Sequence, residues 1–447
     1  MKVLGRLKRK FSNFQIIIMG FAGVIMIGTL LLMVPGASWS GEGTSLECAL
    51  FTATSAVCVT GLIIEDTATY WSPFGQAVIL ILIQIGGLGV VTVAAAIEAA
   101  MGKKLSLHER DLLEDSLSAF QVGGMVKMMR FILRIVIIVE LIGTFVLMPV
   151  FIRDYGVGGI WMSMFHSVSA FCNAGFDLMG SYSGKFSSLT AYSTNAAVVI
   201  PICLLIVLGG IGFLTWNDFI TNKFHFKRYR MQSKVVLATT AVLIIIPFVL
   251  YFFAEYADAS MGDRTLLALF QSVTPRTAGF NTADLTKMTG AGISLMIMLM
   301  IVGGSPGSTA GGMKTTTLTV LFANALSVFK RKKNTEMFGK RIEDSVVKCA
   351  AALLIIYFFL FLAAGILISI VEGLPMKECL FETASAIGTV GLTLGITPSL
   401  GLFSHLILIF LMFFGRAGGL TLMYAAIAGS VKTAEVSRRP VDKINVG

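Results

Sequence analysis

The chain has 447 residues, 55% of them hydrophobic and 13% charged, with a mean hydropathy of +0.83. A soluble chain of this length would be expected to divide into several domains, and this composition points instead to a protein that crosses a membrane several times. The net charge of +10 reads as a topology signal rather than a sign of nucleic-acid binding, because Lys and Arg are gathered into a few short segments.

The N-terminus reads MKVLGRLKRK and then runs apolar from Phe14 to Pro35. That run exceeds the ~7–15 residue core of a signal peptide, so it is expected to be a first, uncleaved transmembrane helix. Further apolar runs cover about 74–101, 130–152, 195–221, 235–254, 291–329, 346–371 and 402–430, which makes eight candidate spans. The six cysteines form no CxxC pair and sit in apolar surroundings, as small buried hydrophobes do.

Between the members of each pair of runs lies a short look-alike segment. Residues 50–62 read LFTATSAVCVTGL, 164–176 MFHSVSAFCNAGF, 269–280 LFQSVTPRTAGF and 380–392 LFETASAIGTVGL. The Phe-to-Gly spacing is 10, 10, 9 and 10; the third copy is one residue short and carries Pro275-Arg276. The expected fold is therefore an all-α polytopic membrane protein. It has four helix–pore loop–helix repeats around a central pore, and eight transmembrane helices. The repeats cover 1–101, 102–222 with a preceding cytoplasmic linker, 223–329 with an interrupted second helix, and 330–447 with a cytoplasmic tail.

Charge orients this arrangement. The N-terminus, the segments near 102–134, 222–234 and 330–348, and the C-terminal tail hold 27 of the 35 Lys and Arg. If each repeat crosses the membrane twice, all five lie on one side, and the positive-inside rule makes that side cytoplasmic. The chain is expected in the cell membrane with both termini cytoplasmic. The opposite loops are acidic, with Glu47, Asp66, Asp177, Glu255, Glu372 and Glu382 among thirteen acids against five bases. Such a mouth concentrates cations, although each acid singly also suits a solvated loop.

Non-helical backbone at membrane depth survives only inside protein or along a wet cavity. Four equivalent segments can surround one axis, where their carbonyl oxygens replace water around a dehydrated cation. Glycine reaches φ > 0 without steric cost, so successive carbonyls can face that axis. The candidate filter residues are Cys58, Val59, Thr60 and Gly61; Asn173, Ala174 and Gly175; Thr277, Ala278 and Gly279; and Thr389, Val390 and Gly391. The bland alternative is that these are small-residue contacts between helices.

Residues 303–312, GGSPGSTAGG, break the second run of the third repeat. Gly307 and Gly312 have the spacing of a phosphate-binding loop, but Met313 intervenes before Lys314-Thr315 and no strand precedes. Ser305 with the distant His405 lacks the elements of a nucleophile elbow, so an enzyme is not expected. Gly303, Gly304, Ser305, Pro306, Gly307, Ser308, Thr309, Ala310, Gly311 and Gly312 instead read as a gate. Proline cannot continue the helix, and small residues should leave few packed contacts and alternative conformations within a few kcal/mol. A static kink is the simpler alternative. Arg416 lies mid-way along the last run, where a charge is costly and functional by default. It could oppose cations below the filter, or serve as an ion pair or carbonyl clamp. Arg276 and Lys314 are further intramembrane cations, and Arg276 is expected to brace the third filter segment. Glu140 has no nameable partner. Residues 103–117 suggest an amphipathic helix, and the basic run 329–334 suits lipid contact or orientation.

With these repeats in place, the chain resembles the Ktr/Trk/HKT superfamily of potassium transport proteins, on its Ktr branch, over essentially its whole length. The resemblance implies potassium at the filter residues, uptake that is often sodium-dependent, an intramembrane gating loop at 303–312, and a gating role for Arg416. It also implies a homodimer with one pore per subunit, held on a cytoplasmic nucleotide-binding ring of the KtrA type. Any nucleotide would sit on that partner, and this chain would bind no cofactor, with K+ as cargo and Na+ as a second candidate ion. Gly61 favours potassium, because relatives with serine there pass sodium. The competing class is a secondary cation transporter working by alternating access, which should carry two inverted repeats and wider or acidic sites.

Overall fold

The computed structural model describes residues 12–100, 112–113, 125–419 and 421. The basic N-terminal segment, most of the 103–117 segment and the C-terminal tail lie outside the described residues; within 103–117, Leu112 and Leu113 are helical and buried. The described chain is dominated by helices, with one two-stranded hairpin, Glu336–Met337 against Lys340–Arg341.

Among the described residues, four helices are long and apolar enough to cross a membrane: Asn13–Leu32, Val126–Tyr155, Met231–Glu255 and Asp344–Glu372. Each is followed by a short helix, respectively Leu46–Val57, Gly158–Phe171, Met261–Val273 and Met376–Gly388. A non-helical stretch and a second apolar helix come next: Pro73–Leu88, Ala196–Gly210, Gly290–Ile301 and Leu402–Ala417.

The runs 74–101 and 195–221, expected as continuous spans, are bent. Pro73–Leu88 turns through 95° into Val90–Ala99, and Ala196–Gly210 turns through 96° into Phe213–Asn222. Counting each bent pair as one span gives up to six spans among the described residues by length and composition. The third second helix resumes as Thr315–Phe329 after the 303–312 loop. The breaks fall at matched tetrads: GGLG at 86–89, GGIG at 209–212 and GRAG at 415–418, with GGSPG at 303–307 as the third counterpart. Gly89, Gly212 and Gly418 all hold φ of +86°, outside the helical range and tolerable only for glycine at low cost.

The short helices form the core. The phenylalanine that opens each repeated segment, Phe51, Phe165, Phe270 or Phe381, is 0% exposed. The long helices carry the lipid-facing surface, as in the exposed Ile137, Ile138, Leu141, Ile142 and Phe145. Helices in lipid gain little from hydrophobic transfer against one another, so close packing holds them together. Glycines allow that closeness where second helices press on the ends of short ones. A methyl group on Gly209 would stand 1.9 Å from the Phe171 carbonyl oxygen, and one on Gly86 2.1 Å from that of Val57.

Gly209→Ala should therefore destabilise the solubilised protein by about 1–3 kcal/mol, the range for overpacking. Gly23→Ala, which meets nothing within 4 Å, should be neutral or slightly stabilising. Thermal unfolding of both variants checks this; equal behaviour would contradict the close-approach argument.

Candidate ion pathway

The four non-helical segments share one backbone conformation. Gly61, Gly175, Gly279 and Gly391 have φ of +93°, +71°, +79° and +93°. Two residues earlier, Val59, Asn173, Thr277 and Thr389 are also left-handed, at +50°, +57°, +69° and +52°. Three of these are β-branched, for which φ > 0 is a genuine outlier that persists only where the surroundings over-determine it. Thr60, Ala174, Ala278 and Val390 sit between the members of each pair, and all the residues named in the four segments are buried. Alternating handedness of this kind turns successive carbonyls toward one side of a strand.

Hydroxyls in the short helices supply the over-determination. Ser55 accepts the Gly61 N–H at 3.0 Å, and Ser385 accepts that of Gly391 at 3.0 Å. Ser169 donates to the Phe176 carbonyl at 2.7 Å, and Thr274 to that of Phe280 at 2.5 Å. The backbone carbonyls of Ser55, Ser169 and Ser385 accept from Thr60, Ala174 and Val390, each at 2.8 Å. The missing residue of the third copy is absorbed between Thr274 and Thr277, where Ala278 N–H bonds the Thr274 carbonyl at 3.0 Å. Thr277 and Gly279 therefore keep the conformation of their counterparts. Arg276 is buried but reaches away, donating to Thr240 Oγ1 at 3.3 Å on the long helix of its own repeat.

The segments meet in ring order. A methyl group on Gly61 would stand 2.5 Å from the Ala174 carbonyl oxygen, one on Gly175 2.7 Å from that of Ala278, one on Gly279 2.3 Å from that of Val390, and one on Gly391 2.2 Å from that of Thr60. Each glycine thus abuts the next repeat, and the fourth closes on the first. Cys58 stands apart, as the C-cap of Leu46–Val57. The short helices end where the segments begin, so the negative ends of their dipoles lie beside this ring.

The 303–312 loop lies against the ring and is far from loosely packed. Ser305, Thr309, Ala310, Gly311 and Gly312 are buried. Gly303 N–H donates to the carbonyl of Met313, just past the loop, and Gly304 N–H to that of Gly311 within it. Ser305 and Thr309 donate from their backbone to the carbonyls of Gly210 and Gly209, and Gly312 to that of Gly415. Thr309 Oγ1 reaches the Phe171 carbonyl at 2.9 Å, and a methyl group on Gly311 would stand 2.2 Å from Thr389 Oγ1. The expectation of few packed contacts is corrected: carbonyls left open at the broken second helices recruit the loop's N–H groups. Pro306, Gly307 and Ser308 form its partly exposed tip, where Gly307 accepts from Phe213 N–H at 2.8 Å.

Arg416 donates to the Thr309 carbonyl of this loop and to the carbonyls of Gly86, at close range, and Gly87 at 3.2 Å. Its charge thus rests on the C-terminal end of Pro73–Leu88, and it joins loop to helix. Lys314 Nζ bonds the Ala310 carbonyl at 2.9 Å. Beneath lies a cavity of about 230 Å³ lined by Gly307, Ser308, Lys314, Tyr357 and Arg416 among others. The matched tetrads place Arg416 where the first two repeats have Gly87 and Gly210, a second periodicity carried by the sequence.

Many of the acids expected on the outer side are engaged in structure. Asp66 caps Thr67–Tyr70 and accepts from Phe186 N–H at 2.9 Å. Glu255 binds Thr289, Glu372 binds Gly401 and Ser404, and Glu382 binds the hydroxyls of Thr393 and Thr397. His405 is held between Glu47 and the Thr397 carbonyl. Asp177, two residues beyond Gly175, is pushed up to about 6 by burial, with Asp66 adding to the effect against the Met179 N–H and Ser188.

Buried backbone segments converging from four parts of one helical chain define a polytopic membrane transport protein. The chain belongs to the TrkH family, described as cation transport protein, which matches residues 8–432. It is 39% identical over 452 residues to the potassium/sodium uptake protein NtpJ of Enterococcus hirae, covering 99% of each chain. It is 37% identical to the Ktr system potassium uptake protein B of Bacillus subtilis, covering 93% of each. Its fold is similar to the crystal structure of the potassium transporter TrkH from Vibrio parahaemolyticus, with a TM-score of 0.73 at 18% identity, over 93% of this chain and 85% of that one. These relatives are transport proteins rather than enzymes.

Because Asp177 is charged above about pH 6 and neutral below it, lowering the external pH from about 7 to about 5 should reduce cation uptake at limiting concentration about twofold. Asp177→Asn should flatten that part of the profile. An unchanged profile in a folded variant would show that the Asp177 charge plays no part in uptake.

Proposed function

We propose that this chain is a potassium uptake protein of the cell membrane, with one ion path through the ring of Gly61, Gly175, Gly279 and Gly391. The observation that carries the reading is the cyclic contact of four left-handed glycines, one from each repeat. Carbonyls of Val59, Thr60, Asn173, Ala174, Thr277, Ala278, Thr389 and Val390 would replace the water around a dehydrated K+, with no side-chain charge to hold it too tightly. In this reading the four long helices and four interrupted second helices make eight spans, with both termini cytoplasmic. The 303–312 loop and Arg416 form the gate beneath the ring. The names of the relatives support potassium as cargo and sodium as a second ion, and the Ktr system naming supports a separate regulatory partner. We assign it as a cytoplasmic nucleotide-binding ring, with the chain itself a homodimer.

Broken helices at mid-depth are also what an alternating-access transporter uses. The repeats run in one direction about one ring, which favours a fixed path. Potassium flux that follows its gradient without a counter-substrate supports the path; strict exchange supports the alternative.

A side chain at Gly61 would collide with the Ala174 carbonyl, so Gly61→Ser should cut discrimination of potassium over sodium about tenfold, or ~1.4 kcal/mol. Relative uptake of the two ions into vesicles measures it, and full selectivity in a folded variant would contradict the filter reading.

Shortening 305–311 should raise basal flux several-fold, and Arg416→Ala should do so more weakly, because the loop would still obstruct the path. The two changes should be non-additive, since they act on one barrier. Loss of flux in a folded loop variant would make the segment a support rather than a gate.

A further inference from the structure

Glu140 lies mid-way along the Met125–Tyr155 helix and is 8% exposed, although the sequence offers it no basic partner. A carboxyl group at membrane depth is expensive and is kept for a function. Its contacts are specific. Oε2 accepts from Gln84 Nε2 at 3.3 Å, and Oε1 lies 3.8 Å from Cys172 Sγ. Cys172 Sγ is also 3.8 Å from Gln84 Oε1, so the three side chains form one closed cluster. The Glu140 backbone carbonyl accepts from Ser167 at 2.7 Å, pinning the short helix Gly158–Phe171 to the same residue.

Each neighbour leads to the ion path. Cys172 is 0% exposed and immediately precedes the left-handed Asn173, whose side chain lies 3.2 Å from the Thr277 hydroxyl in the third segment. Cys172 Sγ also occupies the space that a side chain on Gly87 would need, 2.7 Å from its would-be methyl. Gln84 is on the helix whose terminal carbonyls, Gly86 and Gly87, hold Arg416. The cluster therefore touches the start of the second filter segment on one side and the arginine's anchor on the other.

We infer that Glu140 is a positioning residue for selectivity: with Gln84 it fixes Cys172, and so holds the second filter segment in register with the helix end that anchors Arg416. The inference rests on the filter reading above. The acceptor position of the carboxyl does the work, not its charge, because its partners are an amide and a thiol rather than a cation.

The test is relative potassium and sodium flux in vesicles for the full chain and for Glu140→Ala, Glu140→Gln and Gln84→Ala. Glu140→Ala should lower the potassium preference roughly threefold to thirtyfold while maximal potassium flux is largely kept. Glu140→Gln, which keeps shape and an acceptor oxygen, should restore it. Should Glu140→Ala fail to fold, Gln84→Ala carries the same expectation. In the double variant with Arg416→Ala the effects should be non-additive. Unchanged selectivity in folded Glu140→Ala, or equal loss in Glu140→Gln, overturns the inference while leaving the filter intact. Absence of potassium preference in the unaltered chain would overturn the filter reading itself, and this inference with it.

Discussion

Backbone at membrane depth must find partners inside the protein, and the geometry of this chain follows from how four segments do so. Each segment is too short and too bent to bond with itself. Its N–H groups turn back onto the end of the short helix that precedes it, to the backbone carbonyls of Ser55, Ser169, Thr274 and Ser385 and the hydroxyls of Ser55 and Ser385, while the Ser169 and Thr274 hydroxyls hold the Phe176 and Phe280 carbonyls. In the proposed filter the carbonyls that precede each glycine would be left for the ion on the axis. Only a residue without a side chain fits where adjacent segments touch, because the would-be methyl of each glycine falls within 2.7 Å of the next segment's carbonyl oxygen. The proposed filter is thus held by neighbouring repeats as much as by its own.

The same constraint governs the second helices. Where they pass the ends of the short helices they carry glycine, and just beyond they break. A broken helix exposes carbonyls that lipid cannot satisfy, and the structure satisfies them from within the chain. In the second repeat the partners are the N–H groups of Ser305 and Thr309; in the first they are the guanidinium of Arg416; in the fourth, Gly312. Loop and arginine are therefore structural partners of the broken second helices. Opening the proposed gate must exchange these bonds for others, at roughly 0.5–1.5 kcal/mol apiece, and more for those to the charged arginine. That cost is what the proposed regulatory partner would have to overcome.

The shared geometry of the four segments was legible in the sequence because repetition makes a weak motif strong. One GTVGL says little, whereas four segments with Phe and Gly at matched spacing locate both a core anchor and a left-handed turn. Three features were harder to read. Val59, Thr277 and Thr389 are left-handed against their own preference, which only the surrounding bonds explain. The bends at Gly89 and Gly212 were hidden inside continuous apolar runs, since hydropathy does not register a change of direction. The acids that looked like a cation-attracting mouth include Asp66, Glu255 and Glu372, which cap or bridge the helices around them. The tetrad shared by 86–89, 209–212 and 415–418 would have revealed the bends and the odd placement of Arg416 together.

The most direct test of the account is the position of the ion itself. Crystals or grids prepared in rubidium or thallium should show density on the axis enclosed by Gly61, Gly175, Gly279 and Gly391, coordinated by backbone carbonyls and lost when sodium replaces the heavier ion. Density confined to the cavity beside Lys314 and Arg416, or to the outer carboxylates, with an empty ring would contradict it.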